Sequence, residues 1–196
     1  MKKYNCQDAD FQEFTIDSEF YHALPEDHII RTLMEEHQVI LNFCRVLDGL
    51  VKKLNKQHSI SEAEELISNI QTISGHLLRT ERHHIREEHT FVRRLVSIAE
   101  FEPSLEVRRQ HDKLGVQKRF LERTIYGVYT TPFEDFKNDL KKASQKLIRT
   151  LKKHIELEDN ILYPQAVELI KDAKIWEKMK AESDQIGYCC FTPNKS

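Results

Sequence analysis

His154-Ile155-Glu156-Leu157-Glu158-Asp159-Asn160-Ile161-Leu162-Tyr163-Pro164 places a histidine and a glutamate four residues apart. On a helix, side chains at that spacing lie one above the other on a single face. That face is otherwise apolar. Phe133, Phe136, Leu140, Leu147 and Leu151 lead up to His154 at helical spacing, and Ile161 follows Glu158. An imidazole and a carboxylate inside such a stripe are costly to bury unless something pairs with them, and a metal ion meets that need for both.

Working outward, the same arrangement recurs. Leu33, His37, Ile40, Cys44, Leu47, Leu50 and Leu54 form one stripe, on a helix expected from Pro25 to about residue 57. Ser61-Glu62-Ala63-Glu64 has the form of a capping box with Ser61 as N-cap. It opens a second helix, expected to run unbroken to about Ala99, with Leu66, Ile70, Ile73, Leu77, Phe91 and Leu95 buried. After the break at Glu102-Pro103-Ser104, a third helix runs to about Tyr126 with Val107, His111, Leu114, Leu121 and Ile125 inward. Thr131 as cap and Pro132 at the first helical position start the fourth, which runs to about Ile170, with a kink expected at Pro164. A shorter helix follows around Ala173 to Ser183, and the apolar tail Ile186 to Phe191 is expected to fold back.

The fold class that follows is all-α: an antiparallel up-down-up-down four-helix bundle with a short extra C-terminal helix and tail. Residues 25–196 form the bundle, and residues 1–24, with Phe11, Phe14, Phe20 and Tyr21, form an N-terminal extension packing on it. Five glycines and five prolines in 196 residues favour long helices over a turn-rich β fold. The formal net charge of −2, with both signs mixed along the chain, argues against a nucleic-acid grip. No apolar run approaches the ~20 residues of a membrane span. The N-terminal residues lack the apolar core of a signal peptide, and Cys6, Cys44, Cys189 and Cys190 have neither zinc-type nor disulfide-framework spacing. A cytoplasmic location is the expectation.

Each expected helix thus carries a histidine on or near its buried stripe: His37, His83 or His84, His111, and His154. The second and fourth add a carboxylate four residues on. Facing helices of a bundle can gather such groups into one dinuclear site, with bridging carboxylates and capping imidazoles. That donor chemistry suits iron or manganese. His28 and His76 could support the ligands but are expected to be partly exposed; His22 and His58 are expected at the surface, and Tyr126, Tyr129 and Tyr163 are expected to fill core.

This pattern resembles the hemerythrin-like HHE cation-binding family over roughly Leu24 to Phe191. Leu33-Met34-Glu35-Glu36-His37 looks like the first motif, His83-His84-Ile85-Arg86-Glu87-Glu88 the second, Arg109-Gln110-His111-Asp112 the third, and His154 to Pro164 is a close match to the fourth. The resemblance implies the ligand set His37, His83, Glu87, His111, His154 and Glu158. Matching the fourth motif favours His83 with Glu87 over His84 with Glu88, since Phe91 then falls where Leu162 does. His84, Glu88 and His89 become outer or surface groups. After the second motif the chain reads Thr90-Phe91-Val92-Arg93, where the family usually has a proline.

Oxygen-carrying members have a second histidine one turn after the third-helix one, and here that position is Gly115. Four histidines and two glutamates resemble the iron-centre-repair branch instead, with an open coordination position beside the glycine. The implied cofactor is two iron ions (manganese the alternative) with an oxo or hydroxo bridge. The implied ligand is O2, NO or peroxide, with a role in stress response or iron-centre repair. A metal- or gas-responsive sensor without turnover is the alternative. Metal hydrolase chemistry is disfavoured because the stripes show no spare base. Whether the chain turns over a substrate, has a protein partner, or is a monomer or homodimer is left open by the sequence.

Overall fold

The computed structural model describes residues 18–99 and 102–193. Every regular element among them is helical: α1 (Glu19–Ala23), α2 (Ile29–Leu54), α3 (Ile60–Leu78), α4 (Glu81–Glu87), α5 (Arg93–Ala99), α6 (Glu102–Tyr126), α7 (Phe133–Leu157), α8 (Tyr163–Leu169) and α9 (Ala173–Ile186). Two wide π turns, Glu88–Val92 and Glu158–Leu162, splice α4 to α5 and α7 to α8. Four long segments result: α2, α3 through α5, α6, and α7 with α8. The α2 helix packs on α3 and α7, and α6 packs on the same two, so the segments close a ring around a shared interior. No helix among the described residues is long and apolar enough to cross a membrane.

Local chemistry moves several boundaries. Ser59, not Ser61, caps α3. Its hydroxyl accepts from the Glu62 amide at 3.3 Å, and the Glu62 carboxylate accepts from the His58 amide at 3.1 Å. The second segment is not one helix: Arg79 and Thr80 interrupt it before α4. There the Thr80 hydroxyl donates to the Leu77 carbonyl at 2.8 Å. Pro132 sits just outside α7, as its cap residue without a side-chain bond. Pro164 falls in the first turn of α8, directly after a π turn. The other π turn contains no proline, so proline is not the shared cause. Each π turn adds a residue to the helical repeat and so shifts the buried stripe. That is why Ile161, expected inward, is 42% exposed while Leu162 is fully buried.

The interior has two apolar bodies. One gathers Phe43, Leu47, Ile70, Leu121, Phe136 and Leu147, the other Ile30, Leu33, Phe91, Leu95, Leu162 and Met179. A fully buried side chain of this kind contributes ~1.5–3 kcal/mol, so both bodies are held firmly together. Between them along α2, α4, α6 and α7 fall the buried polar residues Glu36, His37, His83, His84, Glu87, His111 and His154, with Glu158 in the π turn. The tail does fold back: Cys189 and Phe191 join the larger body, with Phe191 edge-on to Phe43 at 5.3 Å. Of the N-terminal extension, residues 1–17 lie outside the described part. Within 18–24, Leu24 is buried and Phe20 and Tyr21 pack on the smaller body.

Candidate metal centre

Four imidazoles share one orientation. His37 Nδ1 lies 2.7 Å from Asp159 Oδ1, and His83 Nδ1 lies 2.6 Å from Glu36 Oε2. His111 Nδ1 lies 2.7 Å from Glu88 Oε1, and His154 Nδ1 lies 3.0 Å from Gln110 Oε1. Carboxylate and amide oxygens accept, so each Nδ1 donates and each Nε2 turns inward with its lone pair free in the neutral ring. His37 Nε2 and His83 Nε2 then face each other at 3.0 Å. Two lone pairs at that distance repel, so a proton or a metal cation must lie between them.

The glutamates complete the enclosure. Glu158 Oε2 is 3.2 Å from His37 Nε2, while its Oε1 is 3.2 Å from His154 Nε2 and 3.5 Å from His111 Nε2. Glu87 Oε2 is 3.5 Å from His83 Nε2 and 3.4 Å from His111 Nε2. Glu158 therefore spans two halves with its two oxygens, and Glu87 serves both with one. The second Glu87 oxygen accepts from the Tyr163 hydroxyl at 2.5 Å.

The donor set fits cations. His111 Nε2, His154 Nε2, Glu87 Oε2 and both Glu158 oxygens are buried without a hydrogen-bond partner, which buried polar atoms avoid. Metal–nitrogen bonds of about 2.1 Å set adjacent donors of an octahedron about 3.0 Å apart, close to the separations here. Ligand atoms of His37, His83, Glu87 and Glu158 lie within 4.8 Å of one another, and so do those of Glu87, His111, His154 and Glu158. The two groups share both glutamates and include no cysteine.

The profile of the hemerythrin HHE cation binding domain matches residues 28–166. The chain belongs to the hemerythrin HHE cation-binding family. Among curated proteins none is a significant match.

Charge in this hemerythrin-family site is tightly balanced. Burial works against an imidazolium at His37, yet Asp159 and Glu158 outweigh it and hold its pKa well above the ordinary value. Burial is likewise outweighed at His111, by Glu158, Glu87 and Glu88. At His154 burial prevails over the pull of Glu158 and lowers the pKa to about 4. Burial would raise the Glu158 pKa, but His154, His111 and His37 hold it well below the carboxylate range. The surrounding carboxylates thus favour positive charge at His37 and His111, as they would favour a bound cation. Around this, Glu36 accepts from Arg86 at 2.5 Å and from the Thr192 hydroxyl. With burial outweighed by His83 and Arg86, its pKa drops to about 2.

The structure brings together all six residues singled out in the sequence. Glu87 faces the interior, and Glu88 turns outward to His111. His84, expected to be an outer or a surface group, is 2% exposed, so it is not at the surface. Its ring stacks on His111 at 4.2 Å and meets His154 edge-on at 5.5 Å. Burial and then Lys118 hold it neutral. At Gly115, where the sequence suggested an opening, an added Cβ would meet only the Arg119 guanidinium, at 3.4 Å. His89, His22 and His58 are exposed. His28 caps α2, accepting from the Ile30 amide at 3.3 Å, and His76 stacks on Phe43. Tyr126 and Tyr129 are exposed rather than core. Tyr163 fills core and also reaches the site, its hydroxyl 3.3 Å from His37 Nε2.

Glu36, Arg86, Gln110, Asp159 and Lys118 escaped the sequence reading. Only Arg86 and Lys118 carried a signal, as cations on otherwise buried stripes, three residues after His83 and seven after His111.

Proposed function

We propose that this chain is a non-haem di-iron protein that binds or reacts with O2, NO or peroxide, in the cytoplasm, in stress response or iron-centre repair. In this reading the four closed segments run up-down-up-down as an antiparallel bundle (residues 25–196), with residues 18–24 of the N-terminal extension packed against it. His37 and His83 are terminal ligands of one ion, His111 and His154 of the other, and Glu87 and Glu158 are shared. Iron suits the imidazole–carboxylate set, with manganese the alternative, and an oxo or hydroxo bridge completes it.

The observation that carries this reading is the common pose of the four imidazoles, each Nδ1 tied to an outer oxygen acceptor and each Nε2 turned to a shared interior. Ligating histidines are oriented in this way in metal sites. Bound iron would supply the electrons and open position for a diatomic molecule or peroxide. The chain's own groups do the rest. Asp159, Glu36, Glu88 and Gln110 fix the rings, the two apolar bodies keep bulk water out, and the Tyr163 hydroxyl holds Glu87 by one oxygen.

A second reading, a metal- or gas-responsive sensor, is favoured by one feature. The Thr192 hydroxyl donates to the same Glu36 that receives the His83 Nδ1 proton. Movement of His83 would therefore be felt by the C-terminal tail.

Metal content by elemental analysis, on wild type and Glu158→Ala, tests the centre. About two irons per chain, falling sharply in the variant, is expected; negligible iron after anaerobic loading refutes it. Reduction followed by O2 or NO, watched in the optical spectrum, then separates a reactive centre from a sensor, whose response would appear as a change in tail protection.

A further inference from the structure

We infer that the groove between α5 and α9 binds a phosphate-bearing small molecule just outside the metal centre. The groove has a volume of about 690 Å3 and adjoins a hollow of about 260 Å3, with His89 and Arg93 lining both. Cavities of roughly 300–1,000 Å3 hold small organic ligands. Its walls are two helical stripes. His89, Arg93 and Ser97 follow at one-turn spacing on one side, and Lys178, Glu182 and Gln185 on the other. Arg108 and Glu88 line the hollow.

The charges along this groove do not balance. Glu182 and Glu88 are the carboxylates that line the two cavities. Glu182 gives both oxygens to the Arg94 guanidinium, at 3.0 Å each, and Arg94 also donates to the Thr90 carbonyl at 2.8 Å. That pair satisfies itself and ties the two walls together. Glu88 has one oxygen committed to His111 Nδ1 at 2.7 Å. Arg93, Arg108 and Lys178 are exposed, and none of the three has an ion pair among the described residues. Clefts lined by one sign of charge concentrate counter-ions. Guanidinium forks match phosphate oxygens two at a time. A phosphomonoester carries nearly two negative charges at neutral pH, so it neutralises more of the groove than a carboxylate does. Arg93 also sets this segment apart from its counterpart in the same chain. Ten residues after His154 stands Pro164, and ten after His83 stands Arg93. Both lie just beyond a π turn, and only one of the two positions carries a cation. None of the six residues of the centre lines either cavity. Glu88 is the link, bordering the hollow on one side and holding His111 on the other.

The test is isothermal titration calorimetry of the full chain with glycerol 3-phosphate and with acetate, near neutral pH and at low ionic strength. Protein as purified and protein depleted of metal are both titrated, because a metal ion can itself capture phosphate. Wild type should take one equivalent of glycerol 3-phosphate in both preparations, and acetate should bind far more weakly. Arg93→Gln and Lys178→Gln should each weaken glycerol 3-phosphate about 10-fold or more. Lys146→Gln, an exposed change on α7 that lines neither cavity, should leave it unaltered. The Arg93 and Lys178 side chains are exposed, so both variants should keep the wild-type circular dichroism. Binding that vanishes on metal depletion would put the anion on the metal and overturn the inference. So would the absence of saturable binding, an affinity unchanged in both groove variants, an equal loss in Lys146→Gln, or acetate binding as tightly as the phosphate.

Discussion

Lys118 is fully buried, its ammonium donating to the Thr80 hydroxyl at 2.5 Å with Glu81 3.9 Å away. Burial lowers its pKa from 10.5 to about 8, only partly offset by Glu81 and Glu87. The Cys44 and Cys189 thiols nearby are pushed up to about 12 and so stay neutral over this range. His84 is the other titratable group facing it, and it is held neutral. Below pH 8 the lysine is charged in both folded and unfolded chains, and the fold carries the whole cost of burying that charge. Between pH 8 and 10.5 the unfolded chain binds the extra proton, so wild-type stability rises with pH as the cost is relieved. The shift corresponds to roughly 3 kcal/mol at neutral pH. Lys118→Met removes the charge and also loses the Thr80 hydrogen bond, about 1 kcal/mol. The expected net gain is roughly 2 kcal/mol at pH 7, or about 1 M in the urea midpoint. Urea denaturation of chelated protein at several pH values measures it, with the chelator removing metal linkage. The gain should shrink through pH 8–10.5 and end as a small deficit. A variant no more stable than wild type at pH 7, or a gain independent of pH, would refute the reasoning.

Two further substitutions probe the groups around the centre, again in chelated protein. Glu36→Gln keeps the shape but leaves the Arg86 guanidinium buried without its counter-charge. The expected loss is about 3–5 kcal/mol, and a loss under about 1 kcal/mol would show that the pair does not act as a buried unit. Tyr163→Phe leaves one oxygen of the fully buried Glu87 without its donor. Urea curves should show a loss of about 1–3 kcal/mol, while a change within about 0.5 kcal/mol would mean that another donor replaces the hydroxyl.

What the sequence made legible follows from what a helical stripe encodes. His37, His111, His154 and Glu158 stand out because each interrupts an apolar run at helical spacing, a property of one helix at a time, whereas His83 with Glu87 rests on likeness to the fourth motif. The supporting acceptors were hidden for the complementary reason. Asp159 follows Glu158 directly and sits a third of a turn away, so its value depends on α2 lying alongside to bring His37 within 2.7 Å. Ile161 and Leu162 were misordered because a stripe read at a fixed repeat cannot register the added residue of a π turn. The same assumption forced a choice between His83 and His84. A strict stripe gives a helix one inner face, and two adjacent residues cannot both occupy it. The α4 helix has two inner faces, one toward His37 and one toward His111, because it follows the break at Arg79 and Thr80 and reaches both sides of the polar layer. Both registers are therefore buried, His83 against His37 and His84 against His111, through a helix–helix geometry that no single stripe contains.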